Sequence, residues 1–430
     1  MLHRKRIRVA VVVLGDVGRS PRMQYHALAL ASSLADVDLV GYAGSTPHRS
    51  VREHAHITCR FLRPPGLRDW QRLPRLLFLG SALLKVLRQG CQLLWVLLFT
   101  VPKPDFVLVQ NPPAIPTLFL AWIVARLRSA KLVVDWHNFG YTMLALRIGR
   151  HHPVVRLAFW YERTLGRRAD AHLCVSRAMQ EELRTQWGIP DVTVLYDRPA
   201  TVFAPTPLLQ RQDLYRRLWE EIHCPLDAPD RPALIVSPTS WTADEDFSIL
   251  LEAVAQCEAL ITAGTNVHTS ALPDRPFPRL CILMTGKGPL REYYEEQIGR
   301  LALRTISLHT LWLSAEDYPV LLGAADLGLC FHRSSSGFDL PMKVADMFGA
   351  GLPVCALDYG PCLAEQIRHG ENGLLFSTSA QLARQLYELF AGFPDRMPLL
   401  DHLRRHALES GLVRWEEGWR TDAQPLFSRP

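Results

Sequence analysis

The sequence predicts an α/β protein with two doubly wound parallel sheets that face each other across a cleft. Two series of short apolar runs alternate with helical stretches, which is the pattern of parallel strands covered by helices on both faces. A polar, proline-containing stretch at residues 197–199 separates the two series. The 430 residues are enough for two domains of ordinary size. We therefore expect one domain over residues 1–198 and a second over residues 199–430.

Apolar runs of strand length define the sheet of the first domain. The run Ile7–Leu14 is followed by a glycine-containing turn and by a helix predicted over residues 23–34. The other strands expected here are Val37–Tyr42, Phe106–Gln110, Leu132–Trp136, His172–Val175 and Thr193–Tyr196.

A second series of apolar runs defines the other domain. Its expected strands are Ala233–Ser237, Leu280–Thr285, Thr305–Leu308, Leu327–Phe331, Pro353–Ala356 and Gly373–Phe376. Residues 261–278 are predicted to form a surface loop, and residues 415–419 a closing helix that crosses back to the first half. Ligands of such sheets bind beyond the carboxyl ends of the strands, so the loops after the strands are the candidate sites.

Composition excludes several classes of protein. A hydrophobic fraction of 48% and a charged fraction of 21% are those of a globular chain. The formal net charge of +6 is mild, and no basic repeat interleaved with aromatic residues indicates a nucleic-acid partner. The nine cysteines are scattered without a Cys-x-x-Cys pair, which argues against a zinc site or a disulfide framework and is typical of a reducing compartment.

The most informative segment is a serine-rich loop followed by a helix. The three hydroxyls of Ser334, Ser335 and Ser336, together with Gly337, form a loop of small residues that can close on a phosphate. The start of the next helix offers free N–H groups and partial positive charge. Lys343 and Asp346 lie three residues apart on one face of that helix, so a cation and a ribose-binding carboxylate stand together. The segment predicts a holder for a nucleotide diphosphate; a solvated Lys–Asp pair beside an ordinary loop is the alternative.

Two further loops of the second domain are candidates for donor binding. Thr239 and Ser240 leave a strand just before a helix, where they either contact phosphate or only cap the helix. Gly286 and Gly288 also follow a strand, and glycines there would let a purine base lie against the backbone.

The first domain offers candidates for the acceptor side. Gly15, Gly18 and Arg19 surround Asp16 in a turn between a strand and a helix; Asp16 is a candidate general base or a turn-forming aspartate. His137 and Asn111 end two other strands of this half. His137 either shares in proton transfer or is a structural hydrogen-bonding residue, and Asn111 either lines the acceptor side or belongs to a rigid Pro-Pro turn. No metal-ligand spacing, Gly-x-Ser-x-Gly elbow or Walker lysine is present.

Residues 60–103 are strongly basic and apolar. They contain eight Lys/Arg residues against one acid, Asp69. A transmembrane helix over Leu76–Val101 would place Lys85 and Arg88 near its middle, at a cost of roughly 2.5–3.5 kcal/mol each. A helix lying in the membrane interface is favoured, and a buried helix with a basic edge is the alternative.

These motifs together resemble the two-domain GT-B glycosyltransferases, with two Rossmann-like domains. Among them the chain is most similar to the chitobiosyldiphosphodolichol β-mannosyltransferase family. The segments that carry this resemblance are 14–26, 110–113, 135–138, 239–248, 285–294 and 334–346.

The resemblance implies transfer of mannose from GDP-mannose to dolichol-diphosphate-linked chitobiose, with inversion, at the cytosolic face of the endoplasmic reticulum membrane. Lys343 and the Ser334–Gly337 loop would hold the diphosphate, Asp346 the ribose, and the 285–290 loop would lie near guanine. The base would be Asp16 or His137. No tightly bound cofactor is expected, and Mg²⁺ is compatible with these motifs but required by none. Other lipid-linked-oligosaccharide mannosyltransferases are candidate protein partners.

One departure and two rival functions accompany the resemblance. Members of the family usually open with a hydrophobic anchor, which this sequence does not show; either its start is truncated or attachment to the membrane depends on residues 60–103. Asp339 and Asp346 echo the paired acidic residues of retaining GT-B mannosyltransferases of other glycolipids, which are one rival. A non-catalytic sugar-nucleotide-binding subunit is the other.

Overall fold

The protein forms two compact units in a computed structural model that describes residues 6–63, 86–222, 231–242, 245–263 and 277–428. The first unit comprises Met1–Tyr196 with Glu416–Pro430, and the second comprises Asp197–Trp415.

The first unit is built on a parallel sheet of seven strands in the order β3-β2-β1-β4-β5-β6-β7. The strands are β1 Ile7–Asp16, β2 Ala35–Tyr42, β3 Ile57–Leu62, β4 Phe106–Asn111, β5 Lys131–Trp136, β6 Ala171–Cys174 and β7 Thr193–Val194. β1 runs between β2 and β4, pairing Val9 with Val37 and Phe106. The chain order reverses between β1 and β4, so the ligand crevice of such a sheet lies at their carboxyl ends.

Helices follow most strands of this unit. They are α1 Pro21–Ser33, α2 Arg49–Arg52, α3 over residues 86–95, α4 Thr117–Arg128, α5 Gly140–Ile148, α6 Pro153–Gly166 and α7 Arg177–Thr185. A 3₁₀ turn at Val17–Arg19 precedes α1, and a π-helical turn at Val96–Thr100 continues α3.

The second unit repeats the plan with six parallel strands in the order β10-β9-β8-β11-β12-β13. The strands are β8 Ala233–Pro238, β9 Leu280–Thr285, β10 Ile306–Leu311, β11 Leu327–Cys330, β12 Val354–Leu357 and β13 Gly373–Phe376. The helices are α8 Leu208–Ile222, α9 Ser248–Thr262, α10 Arg291–Gly299, α11 Asp317–Ala324, α12 Met342–Gly349, α13 Ser379–Phe390, α14 Pro398–Ser410 and α15 Trp415–Gly418, with a 3₁₀ turn at Pro361–Glu365. The reversal of chain order falls between β8 and β11.

The two doubly wound sheets expected from the sequence are confirmed, but one strand was missed. β3 pairs with β2 at the edge of the first sheet, and apolar and polar residues alternate along it from Ile57 to Phe61 instead of forming an apolar run. Arg60 lies in this strand, and its Nε is 2.8 Å from Oδ1 of Asp38. Arg60 is therefore part of the sheet, and a neighbouring strand pairs its charge.

The carboxyl-terminal segment returns to the first unit, which differs from the expected domain of residues 199–430. After α15 the chain makes a π-helical turn at Trp419–Ala423 and a 3₁₀ turn at Gln424–Phe427. The Phe427 ring packs edge-on against Phe106, 5.3 Å between centroids. Trp419 is buried and donates to His26 of α1. These contacts explain why Glu416–Pro430 belongs to the first unit.

The segment predicted to contact the membrane spans residues 60–103. Residues 64–85, with Leu76–Leu84 and half of the predicted cations, lie outside the described residues. Within the part of the chain that is described, no helix combines the length and apolarity needed to cross a bilayer. In residues 86–100, Leu93 and Leu97 are buried while Trp95 and Phe99 are exposed.

Candidate active site

Lys343 in the second unit forms an ion pair with a buried carboxylate. It lies in the first turn of α12, and its Nζ contacts Oε1 of Glu245. Glu245 is only 3% exposed, whereas the Lys343 side chain is partly open to solvent. The N-cap of α12 is Pro341, which supplies no side-chain hydrogen bond to the helix start. A cation and an uncapped helix start thus meet at one point, an arrangement that favours an anion.

The loop after β8 holds Glu245 in place. Oε2 of Glu245 accepts from the Thr239 hydroxyl and from the Ser240 N–H, each at 2.7 Å. Thr239 Oγ1 in turn accepts from the N–H of Trp241, which is fully buried with a φ of 50°. Glu245 thus links Thr239 and Ser240 to Lys343, and the polar atoms of these two residues position Glu245. A phosphate contact by these two residues stays a prediction.

Gly286 and Gly288 allow two loops to approach each other closely. A Cβ at Gly286 would lie 1.8 Å from the carbonyl oxygen of Thr239, and one at Gly288 would lie 1.8 Å from that of Ser240. The Trp241 indole also donates to the Gly286 carbonyl, at 3.2 Å. From the sequence, these glycines are expected to make room for a purine base. The structure shows that the chain's own backbone already requires them.

The serine-rich loop is organised around Asp339, a buried carboxylate. The hydroxyls of Ser334 and Ser336 donate to its Oδ1, the latter at 3.3 Å. His332 Nε2 lies 3.0 Å from its Oδ2. The N–H of Gly337 donates to Ser334 Oγ at 2.7 Å, in a left-handed conformation with φ of 80° and open space around the α-carbon. The loop is therefore pre-shaped by its own hydrogen bonds.

A backbone bridge joins the serine-rich loop to the Lys343 pair. Glu245 and His332 form an isolated antiparallel bridge, so the loop after β11 runs beside the loop after β8. These two strands flank the topological reversal of the second sheet. Thr239, Ser240, Gly286, Gly288, the serine-rich loop and Lys343 therefore lie together at the carboxyl edge of the second sheet, and donor binding by them stays a prediction.

Asp346 lies one turn beyond Lys343 in α12. It is half-buried, and burial together with the negative charge of Asp197 raises its pKa well above the usual range. The raised pKa favours the protonated form of this carboxyl group, which can donate a hydrogen bond as well as accept one, and this suits a partner with hydroxyl groups.

In the first unit, Asp16 closes the turn after β1. Its Oδ1 accepts from the N–H of Gly18 at 3.0 Å, and its Oδ2 accepts from the N–H of Ser45 at 2.8 Å. Gly18 permits this closure, since a Cβ there would lie 2.3 Å from the Ser45 carbonyl oxygen. Gly15 has ordinary space around it, and Arg19 is exposed. The carboxylate has a structural role in the turn, and catalysis by Asp16 stays a prediction.

Asn111 and His137 meet beyond the ends of β4 and β5. The His137 N–H donates to the Asn111 carbonyl at 2.8 Å. Nδ1 of His137 and Oδ1 of Asn111 are buried and have no hydrogen-bond partner among the described residues. Such orphaned polar atoms mark a place where a ligand or water is to be expected. Because β4 lies between β1 and β5, Asp16 and His137 are separated by two strand spacings, about 10 Å.

Glu162 of α6, which sequence analysis missed, supports this loop. Its Oε1 accepts from Nδ2 of Asn111 at 2.6 Å and from the Gly140 N–H at 2.8 Å, and its Oε2 accepts from the Tyr141 N–H at 3.0 Å. Complete burial raises the pKa of Glu162 to about 7, although these hydrogen bonds act in the opposite direction. The sequence does contain one indication of this role, because Glu162 is the single acid in the otherwise largely apolar helix α6.

A buried network lies beneath the same edge of the sheet. Asp135 at the end of β5 accepts two hydrogen bonds from the Arg22 guanidinium, at 2.7 and 2.8 Å. Its Oδ2 is also 3.3 Å from Nε2 of His26, whose Nδ1 accepts from the indole N–H of Trp419 at 3.0 Å. Burial alone would raise the pKa of Asp135, but the charge and hydrogen bonds of Arg22 and His26 hold it well below its usual range.

Trp312 is a further residue that sequence analysis missed. It follows β10 directly and is 54% exposed, and Nζ of Lys287 lies 4.3 Å from its ring centroid. It stands beside the Gly286 loop, whose Gly286 N–H donates to the Leu311 carbonyl at 3.2 Å. An exposed aromatic face at the carboxyl edge of the sheet is a surface on which a planar base can stack.

In the described ranges, no group of three or more His, Cys, Asp or Glu side chains is arranged to hold an ion.

Comparison with known proteins identifies relatives over almost the whole chain. Residues 17–197 match the glycosyl transferase 4-like domain, and residues 247–391 match the group 1 glycosyl transferases. The UDP-glycosyltransferase TURAN of Arabidopsis thaliana is 45% identical over 99% of this chain and 98% of its own length. The chitobiosyldiphosphodolichol β-mannosyltransferase of Homo sapiens is 44% identical over 97% and 92%. That of Yarrowia lipolytica is 39% identical over 99% and 87%.

Solved structures confirm the GT-B fold. Anabaena HepE in complex with UDP and glucose has a TM-score of 0.66 at 16% identity, over 99% of this chain and 100% of that one. Sucrose-phosphate synthase from Thermosynechococcus elongatus has a TM-score of 0.66 at 15% identity, over 96% of each chain. At these identities the likeness establishes the fold alone.

Proposed function

The chain belongs to the chitobiosyldiphosphodolichol β-mannosyltransferase family, and from this premise we propose that it transfers mannose from GDP-mannose to chitobiosyl-diphosphodolichol. The proposed product carries the first mannose in β-1,4 linkage, and the proposed reaction inverts the anomeric carbon. The observation that carries the proposal is Lys343, a cation at the uncapped start of α12 beside the serine-rich loop.

The donor is proposed to bind in the crevice of the second unit. Lys343, the N–H groups at the start of α12 and the Ser334–Gly337 loop face the diphosphate, where fixed dipoles stabilise the charge that develops on the leaving group. Asp346 receives the ribose hydroxyls, for which a carboxyl group with a raised pKa is suited. The guanine lies near the Gly286–Gly288 loop, with Trp312 as the adjoining aromatic face.

The acceptor is proposed to bind at the carboxyl edge of the first sheet. Its hydroxyl oxygen attacks the anomeric carbon of mannose while the bond from that carbon to the diphosphate breaks. The electron pair of that bond leaves with GDP, and the hydroxyl proton passes to Asp16 or His137. Gly15, Gly18, Arg19 and Asn111 line the acceptor side of this arrangement.

The setting of the reaction is proposed from its lipid-borne acceptor. The chain works at the cytosolic face of the endoplasmic reticulum membrane, next to other mannosyltransferases that extend the same lipid-linked oligosaccharide. No tightly bound cofactor is proposed. Mg²⁺ is compatible with the site motifs but required by none of them, and Lys343 can stabilise the charge of the leaving diphosphate.

A donor and product assay tests the proposal. The purified chain is given chitobiosyl-diphosphate on an isoprenoid with GDP-mannose, UDP-N-acetylglucosamine or UDP-glucose. Turnover with GDP-mannose alone, and a β-anomer by the one-bond carbon–proton coupling of the new linkage, is expected. Turnover with a UDP-sugar alone would contradict the assignment of GDP-mannose as the donor. No turnover with any donor would favour a non-catalytic subunit.

A retaining mannosyltransferase is the second candidate. It is favoured by the spacing of Asp339 and Asp346, seven residues apart and both next to the proposed donor site. An α-anomer in the same product analysis would decide for it.

A further inference from the structure

The hairpin of α5 and α6 carries an exposed apolar face in the first unit. α5 contains five apolar residues in nine, yet none of its residues is buried. Its Met143, Leu146 and Ile148 are exposed, with Leu146 at 65%. An apolar helix normally buries at least one stripe of side chains against a neighbouring element. In α5 no side chain is buried in this way.

The second helix of the hairpin is apolar on both of its sides. The inner face packs with Val155, Ala158 and Leu165, which are buried. The outer face presents Leu157 and Trp160, three residues apart and 60% and 61% exposed. Because the inner face already accounts for packing in the unit, the outer one is available for another surface.

The apolar face extends onto the neighbouring helix. Tyr161 of α6 accepts from the N–H of Phe119 at 3.3 Å, which brings the exposed Phe119 of α4 next to the hairpin. α4 in turn packs on the π-helical turn at Val96–Thr100. There Trp95 and Phe99 are exposed and lie 4.8 Å apart between ring centroids.

The exposed charges of the hairpin are all positive. Arg147, Arg150 and Arg156 are exposed and form no ion pair within the described chain. The one acid in residues 140–168 is Glu162, which is buried. An apolar surface with arginines and an exposed tryptophan complements a bilayer interface, where acyl chains and anionic phosphates lie side by side. A protein partner would need an acidic rim around an apolar centre to match it.

We propose that the α5–α6 hairpin is the membrane-docking face of this protein, inserting Met143, Leu146, Leu157 and Trp160 into the interface of an anionic bilayer. The surface differs from residues 60–103, although their exposed Trp95 and Phe99 adjoin it. The inference rests on the membrane setting of the proposed function and assigns the surface that docks, and its test with vesicles requires neither donor nor acceptor.

The hairpin is tied to the candidate acceptor site. Glu162 binds the first turn of α5 through Gly140 and Tyr141, and it binds Asn111 at the end of β4. α5 is nine residues long, about 13 Å at the usual helical rise. Docking of the hairpin therefore holds the His137 and Asn111 edge of the sheet within about one such helix length of the headgroups. A lipid-borne substrate can then reach that edge without leaving the membrane.

Vesicle flotation with the full chain tests the inference. The parent protein is mixed with vesicles of phosphatidylcholine, with or without about one-third phosphatidylserine. The apolar triple variant Leu146→Gln, Leu157→Gln and Trp160→Gln should reduce binding to both by about tenfold or more. The triple variant Arg147→Gln, Arg150→Gln and Arg156→Gln should remove most of the preference for phosphatidylserine, since each arginine near the surface contributes roughly fivefold.

Matched controls come from the second unit. Leu208→Gln, Leu209→Gln and Leu412→Gln change three exposed leucines, and Arg384→Gln, Arg396→Gln and Arg405→Gln change three exposed arginines. Both should bind vesicles as the parent does. All variants are also compared by thermal unfolding and by turnover on an acceptor dispersed in detergent, which should be retained.

Three results would overturn the inference. The first is a parent protein that does not float with anionic vesicles. The second is a hairpin variant, normally folded, that binds as well as the parent. The third is a hairpin variant that loses self-association while its vesicle binding is intact. Loss of activity in detergent by every protein including the parent would count against the proposed function and leave the docking result standing.

Discussion

Lys343 forms an ion pair with Glu245, a carboxylate 98 positions earlier in the chain that is almost completely buried. Glu245 in turn holds Thr239 and Ser240 through its other oxygen. The lysine that is proposed to face the diphosphate is thus also the counter-ion of a buried acid. Removing the Lys343 charge leaves the buried Glu245 carboxylate without its counter-ion, which costs stability.

Replacing Lys343 tests the donor site. Lys343→Ala should lower kcat/KM for GDP-mannose by one or more orders of magnitude, because the cation beside the leaving diphosphate is lost. The same variant should unfold at lower temperature, since Glu245 loses its counter-ion. The double variant Lys343→Met with Glu245→Gln removes both charges and separates the two effects. Recovered stability with lost turnover supports a role in donor use, and recovered turnover contradicts it.

Replacing Asp16 tests the base. Asp16→Asn should lower kcat by two orders of magnitude or more, with GDP binding little changed, if the carboxylate accepts the acceptor proton. The amide must also face two N–H donors, from Gly18 and Ser45, so unfolding of the variant is measured in parallel. Ser45→Pro, which removes one of these N–H groups without touching the carboxylate, is the structural comparison. Near-normal kcat in folded Asp16→Asn would rule the residue out and leave His137 as the candidate.

Glu162 makes the stability of the first unit depend on pH. Its folded pKa of about 7 lies above the ordinary value of 4.5, so the folded state binds the proton more tightly than the unfolded state. The resulting stabilisation is complete below pH 4.5 and is lost as the pH rises through about 7. The change is on the order of 3 kcal/mol. Glu162→Gln should flatten this part of the pH profile of the unfolding free energy.

The control for that profile is an exposed acid. Glu181 of α7 pairs with Arg184 at the surface, so Glu181→Gln should leave the slope as it is in the parent. An unchanged slope in Glu162→Gln would show that another group titrates in this range.

Trp312 tests where the base of the donor lies. Trp312→Ala should raise KM for GDP-mannose several-fold with little change in kcat, because stacking on the ring contributes to ground-state binding. Trp312→Phe keeps an aromatic face and should restore most of the affinity. Equal KM values for the parent and Trp312→Ala would place the base elsewhere.

A chelator tests the proposed independence from metal. With Lys343 and the start of α12 stabilising the leaving diphosphate, turnover should continue in EDTA at more than about half its rate with Mg²⁺. Complete loss in EDTA, restored by Mg²⁺ alone, would contradict this part of the proposal.

The buried strands and the serine-rich loop could be predicted because each is formed by a contiguous segment of the sequence. Buried parallel strands such as Leu280–Thr285 are continuous apolar runs, and the serine-rich loop is contiguous. The edge strand Ile57–Leu62 was missed because it alternates with polar residues. Glu162 and Glu245 were missed as site residues because burial of a carboxylate depends on partners such as Asn111 and Lys343, which are distant in sequence.

The return of Glu416–Pro430 to the first unit has a practical consequence for dissecting this protein. Residues 197–415 are one uninterrupted stretch, so the second unit can be excised with a single pair of cuts. The first unit cannot be obtained by stopping after Tyr196, because the indole that caps His26 and the Phe427 ring on Phe106 would be absent. An isolated first unit requires a short linker from residue 196 to residue 416, in the manner of a deletion of an inserted domain.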